Sequence, residues 1–116
     1  MLQITPHQKF FLAVDPIDFR KGIDGIAAIC KHKLQADPMS GVLFIFTNRK
    51  HTAVKILVYD GQGFWLCQKR FSSGRLAWWP THSSAVTHPI TAAQLQILLY
   101  QGDPSRSTIP PDWKRI

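Results

Sequence analysis

Three aspartates carry the side chains that would matter most to phosphoryl transfer, which commonly holds two metal ions between carboxylates. They are Asp18, Asp24 and Asp60. Each also has a local explanation. Asp18 precedes an apolar-periodic stretch and suits a helix N-cap, accepting from first-turn amides. Asp24 lies four residues after Arg20, and Asp60 opens a glycine-rich turn. The chain has no glutamate, which narrows the ligand supply further. A metal-dependent nuclease is therefore the least supported reading.

The histidines at 7, 32, 51, 82 and 88 match no H-E-x-x-H or similar spacing. His82 and His88 would need a third ligand, and a loop position explains them as well. Cys30 and Cys67 form no C-x-x-C pair and sit among apolar residues, so both read as small buried hydrophobes rather than zinc ligands or nucleophiles. Gly61-x-Gly63 is followed by no helical pattern, so a dinucleotide fingerprint fails, and there is no phosphate-binding P-loop. The sequence indicates no catalytic residues, no metal and no cofactor.

Basic residues are the remaining chemistry. Fourteen lysines and arginines stand against seven acids, all aspartate, and the pI is about 9.9. The excess is local. Between Pro38 and Gly102, Arg49, Lys50, Lys55, Lys69, Arg70 and Arg75 face Asp60 alone. Such a balance points to a polyanionic partner, nucleic acid first. Simple solubility is the competing reading.

The elements that must position these cations follow from pattern. Phe10–Val14 reads as a short strand, stopped by Asp15-Pro16. A helix is expected from Asp18 to about Leu34, with Phe19, Ile23, Ile26, Ala27, Cys30 and Leu34 on one stripe. Arg20 and Lys21 fall on its other face. Gly22 and Gly25 there imply close packing or a later helix start. Strands are expected at Val42–Phe46, Val54–Asp60, Phe64–Phe71 and Arg75–Trp79. They are separated by the polar turn Asn48–Thr52, the hairpin signal Asp60-Gly61-Gln62-Gly63, and Ser72-Ser73-Gly74. His82 and His88 fall in a polar connection. Thr91-x-x-Gln94 then makes a capping box for a helix over Ala92–Gln101, ended by Gly102 at C′.

The fold expected is α+β: an antiparallel meander of four or more strands packed with two helices. One domain spans 1–102, and 103–116 is read as a mobile tail. With two-residue hairpin loops, Tyr59 pairs with Phe64, Lys55 with Gln68 and Arg70 with Arg75. That register places Lys55, Tyr59, Arg70, Arg75 and Trp79 on one face, where cations meet phosphates and aromatics stack on bases. The apolar runs are too short to cross a bilayer, and no signal segment is evident, so a cytoplasmic location is expected.

Several stretches together resemble a known family. They are D-F-R-K-G-I-D-G at Asp18–Gly25, D-P-M-S-G at Asp37–Gly41, L-F-I-F at Leu43–Phe46, Y-D-G-Q-G at Tyr59–Gly63, K-R-F at Lys69–Phe71, and G-R-L followed by Trp79-Pro80. In this order they resemble the small TnpB (Orf-two-like) accessory proteins of the insertion-sequence-66 transposons. The resemblance implies a role in bacterial transposition beside a transposase and a second small accessory protein. It supplies no catalytic set. Arg20, Lys21, Arg49, Lys50, Lys55, Lys69, Arg70 and Arg75 are candidates for nucleic-acid contact by their chemistry. A module that contacts protein alone is the alternative.

Overall fold

The computed structural model describes residues 9–81 and 85–106. Seven elements follow in chain order: β1 (Phe10–Ala13), α1 (Ile23–His32), β2 (Leu43–Thr47), β3 (Ala53–Tyr59), β4 (Phe64–Arg70), β5 (Thr87–Ile90) and α2 (Ala92–Leu99). The strands form one sheet in the order β4-β3-β2-β1-β5.

The α+β class holds, but the sheet is mixed rather than an antiparallel meander. β1 and β2 are parallel neighbours, with Phe10 beside Leu43 and Leu12 beside Ile45. The helix between them is the reason. Two adjacent parallel strands need a crossover, and α1 supplies it. The β2–β3 and β3–β4 pairs are antiparallel hairpins. Tyr59 pairs with Phe64 and Lys55 with Gln68, the register that the glycine-rich turn implies. Gly61 takes the positive φ of 96° that this turn requires.

The expected strand at Arg75–Trp79 does not form. After Phe71, whose N–H still donates to Thr52, the chain turns at Gly74 and folds back over the sheet, and Leu76 N–H donates to the His51 carbonyl. This path buries Leu76 and Trp79 against the sheet, and the Trp79 indole donates to the Ala13 carbonyl at 3.0 Å. An edge strand could not have covered two such large apolar groups. The fifth strand is instead β5, antiparallel to β1, with His88 beside Leu12 and Pro89 beside Phe11.

Strand alternation splits the core in two. Phe10, Leu12, Leu43, Ile45, Val54, Ile56 and Val58 face α2 and the Phe71–Pro80 segment. Ala13, Phe44, Phe46 and Leu57 face α1, which contributes Ile26, Ile29 and Cys30. The helix starts later than Asp18. Its N-cap is Gly22, with no side-chain cap, and Asp18 instead accepts from Arg20 N–H two residues on. At α2 the capping box is complete: Thr91 Oγ1 accepts from Gln94 N–H while the Gln94 side chain accepts from Thr91 N–H. Its other end is a Schellman motif. Gln101 holds φ 64°, its N–H donates to Leu98, and Gly102 N–H donates to Ile97. Gly102 is thus C″ rather than C′. Residues 103–106 close with Ser105 on the Asp103 carboxylate. His7, His82 and the tail from 107 lie outside the described residues.

Candidate nucleic-acid interface

The connectivity decides where the cations go. β1 and β2 run the same way, so the segments after both emerge at one end of the sheet. β3 starts at that end, and β4, antiparallel to β3, finishes there. Arg20 and Lys21 follow β1, Arg49 and Lys50 occupy the β2–β3 turn, Arg70 ends β4, and Arg75 lies in the segment that folds back beneath that turn. Six candidates separated by up to 55 positions in sequence therefore share one end of the sheet, and all six are exposed. Asp15, Asp18 and Asp24 flank the Arg20 side of this end. Segments 48–59 and 64–81, which carry Arg49, Lys50, Arg70 and Arg75, contain no acid at all.

The turn that presents Arg49 and Lys50 is held by its first residue. The Asn48 carboxamide donates to Thr52 Oγ1 and accepts from Thr52 N–H, each at 2.9 Å, and the Asn48 carbonyl accepts from His51 N–H. His51 sits at φ 58°, and its imidazole pKa is lowered, first by burial and then by the nearby Arg75. A depression of about 400 Å³ separates this turn from the Pro16–Phe19 segment. One wall carries Arg49 and Lys50, and the other carries Asp18.

Arg20 is held by Asp18. Its Nε and Nη2 reach both carboxylate oxygens, the closest contact being 2.7 Å. Hydrogen bonding from the Arg20 guanidinium, then from its backbone N–H, lowers the Asp18 pKa to about 2. The arginine side chain is 91% exposed, so the pair is an open surface ion pair, of the kind that contributes little to stability and exchanges partners readily.

Two further candidates are held by carbonyls of the protein itself, one buried and one at the surface. Lys55 is only 6% exposed and lies on the α1 side of β3. Its Nζ donates to the carbonyls of Phe19 at 2.8 Å and Lys21 at 3.0 Å, and sits 5.0 Å from the Phe19 ring centroid. It ties the segment bearing Arg20 and Lys21 down onto the sheet. Lys69, on the other face of β4, donates to the Leu99 carbonyl at the C-terminus of α2 and lies 4.9 Å from the Tyr100 ring centroid. A cation there suits both the unpaired carbonyl and the negative end of the helix dipole. The single-face grouping inferred from hairpin parity is thus corrected. Lys55, Tyr59 and Arg70 do share the α1 side by alternation, but Arg75 is not on a strand and Trp79 is buried in the opposite core. The signal for Lys55 was present in Ala53–Val58, where one lysine interrupts a strand apolar on both faces.

The three aspartates are spread apart. Asp60 lies at the opposite end of the sheet, where its carboxylate accepts from Gln62 and Gly63 N–H and from the Trp65 indole. Those bonds lower its pKa. Asp18 is occupied by Arg20, and Asp24 lies in the first turn of α1. Among the described residues, no group of three or more His, Cys or Asp side chains is placed to hold a metal ion.

A mixed five-stranded sheet with a helix over each face and exposed cations gathered at one end defines a small α+β protein. The chain belongs to the IS66 Orf2-like family of transposition-associated accessory proteins: the family model "IS66 Orf2 like protein" matches residues 8–108. It is 32% identical over 99 residues to the uncharacterized protein y4hO of Sinorhizobium fredii, covering 85% of this chain and 84% of that one. It is 31% identical over 78 residues to the uncharacterized protein y4jC of the same organism, covering 67% of each. No solved structure matches. No helix among the described residues is long and apolar enough to cross a membrane.

Proposed function

We propose that this protein is a non-catalytic accessory factor of transposition that grips DNA through the cationic end of its sheet. It would act in the bacterial cytoplasm beside the transposase and the second small accessory protein of the same element. The observation that carries this reading is the convergence of Arg49, Lys50, Arg70 and Arg75 on one end of the sheet, in segments free of acid. None of these four side chains pairs with a described carboxylate, so each is available to a phosphate. Lys21 extends the surface. Arg20 joins it by exchanging Asp18 for a phosphate oxygen. Lys55 and Lys69 position the loop and the helix around it rather than touching the ligand.

Contact with phosphates releases counterions at about 0.9 per neutralised charge, so four to six contacts give a slope of log K against log salt near −4 to −5. Fluorescence anisotropy with duplex and single-stranded oligonucleotides over a salt series measures it. Arg49→Ala, Arg70→Ala and Arg75→Ala should each flatten the slope by about 1. Lys9→Ala, just before β1 at the opposite end of the sheet, should leave it unchanged. Absence of salt-dependent binding to any DNA, while a complex with the transposase still forms, would establish the protein-only alternative instead.

A further inference from the structure

The two edges of the sheet are not equivalent. At the β5 edge, Val14 N–H donates to the Val86 carbonyl, which fixes the phase of the β1–β5 ladder. Hydrogen-bonded pairs then fall at Leu12–His88 and Phe10–Ile90, and Pro89 is the residue whose nitrogen points outward. A proline in that position removes the donor an incoming strand would need. The β5 edge is therefore closed.

The β4 edge has no such guard. It is seven residues long, lacks proline, and pairs with β3 alone among the described residues. Asp60 N–H donates to Gly63 and Phe71 N–H to Thr52, so the phase of this ladder is fixed at both ends. Alternation leaves the backbone groups of Phe64, Leu66, Gln68 and Arg70 directed outward. Edge strands commonly use lysine as a gatekeeper, but Lys69 is turned to the end of α2. Trp65 is 40% exposed on this strand.

We propose that β4 pairs antiparallel with β4 of a second copy of this chain, about a two-fold axis at Cys67, to make a continuous ten-stranded sheet. The strand's own sequence selects this occupant and register. Outward-facing residues must oppose one another, and centring on Cys67 makes the bonded pairs Phe64–Arg70 and Leu66–Gln68 in both directions. The close, unbonded pairs are then Trp65–Lys69 and Cys67–Cys67. Arg70 meets the Phe64 ring of the other copy, and the two Lys69 side chains, each held by its own α2, stay about 14 Å apart along the strands. Moving the axis to Gln68 brings the cations of both copies together. Moving it to Leu66 runs Lys69 and Arg70 past the strand onto the hairpin turn. The cationic ends emerge at opposite ends of the joint sheet, leaving both free.

Sedimentation of the full chain without DNA should give twice the 13.2 kDa of one chain. Gln68→Pro, which removes one outward donor as Pro89 does at the other edge, should give a monomer with an unchanged circular dichroism spectrum. In a Cys30→Ser background, mild oxidation should join the copies through Cys67, because an unbonded antiparallel pair has the Cα spacing a disulfide accepts. This cross-link tests the native strand even if Gln68→Pro fails to fold. A chain that stays monomeric overturns the proposal, including one that accepts a strand from another protein. So does a dimer that survives Gln68→Pro, or one whose Cys67 thiols do not cross-link.

Discussion

Replacing Lys55 with methionine separates a cation that holds the fold from a cation that holds a ligand. Methionine keeps most of the aliphatic stem and removes the ammonium. The structure shows what is lost: two charge-assisted hydrogen bonds, to Phe19 and Lys21 carbonyls at 2.8 and 3.0 Å, and the contact with the Phe19 ring. At about 1.5–3 kcal/mol each, the two bonds set a ceiling of about 3–6 kcal/mol. Two effects pull the figure down. A methionine spares the protein the cost of burying an ion, which is of order several kcal/mol before compensation. The segment Asp18–Lys21 lies at the surface, so its freed carbonyls can turn to water. The expected net loss is about 2 kcal/mol, a fall in Tm on the order of 10 °C for a chain of this size.

Thermal unfolding followed by circular dichroism measures the loss. Hydrogen exchange locates it, with faster exchange expected at Lys21, whose N–H donates to the Asp18 carbonyl, and in the first turn of α1. The DNA arm gives the sharper contrast. If Lys55 only positions the loop, Lys55→Met weakens binding modestly through Arg20 and Lys21 and leaves the contribution of Arg49, Arg70 and Arg75 to the salt slope intact. An unchanged or higher Tm would refute the anchoring role. A loss of slope equal to that of Arg70→Ala would show that the ammonium leaves its carbonyls to meet phosphate.

Other substitutions test other parts of the frame. Gly102→Ala places a methyl 2.7 Å from Ile97 Cγ2 and 3.1 Å from its carbonyl oxygen, and should cost about 1–3 kcal/mol in denaturant unfolding. Thr91→Ala removes the capping box of α2 and should cost about 1 kcal/mol in the same assay. The depressed pKa of His51 means that the unfolded chain takes up its proton first. Its contribution to stability is complete above the ordinary value of 6.5 and is lost as pH falls from there through the lowered folded value, and His51→Asn, which tolerates the left-handed backbone, should remove this part of the pH dependence. Burial pushes the Cys30 thiol up to about 12, so maleimide at neutral pH should label Cys67 well before Cys30, as mass spectrometry of digests would show.

What the sequence disclosed depended on range. The capping box of α2 and the register of the β3–β4 hairpin are written in four or five consecutive residues, and both formed as their spacing implies. The parallel β1–β2 pair and the place of β5 depend on residues more than thirty positions apart. Thr87–Ile90 contains a proline and a histidine and carries no strand pattern of its own; β1 makes it a strand. Asp18 looked like a cap because carboxylates cap helices, yet Arg20 two residues later offered it a stronger partner. Leu76–Trp79 reads as a strand by its apolar and aromatic composition, but Leu76 and Trp79, three apart, would face opposite sides of a strand; both are buried only because the segment covers the sheet instead.

The same distinction governs the candidate site. Every cation could be named from the sequence, and none could be assigned to surface or interior by charge alone. Lys55 and Arg70 share one side of the hairpin by alternation, and their fates differ because of what lies above each. Phe19 and Lys21 cross over Lys55 and offer it two carbonyls, while Arg70 ends its strand with no such cover. Arg20 and Lys21 reach the same end as Arg49 and Arg75 only because β1 and β2 are parallel. Had the sheet been the antiparallel meander, β1 and β2 would have opened at opposite ends and the two groups would have been split. The crossover helix is therefore what concentrates the charge. A variant that loosens α1 from the sheet, such as Ile26→Ala in its buried stripe, should weaken DNA binding along with stability even though it touches no phosphate.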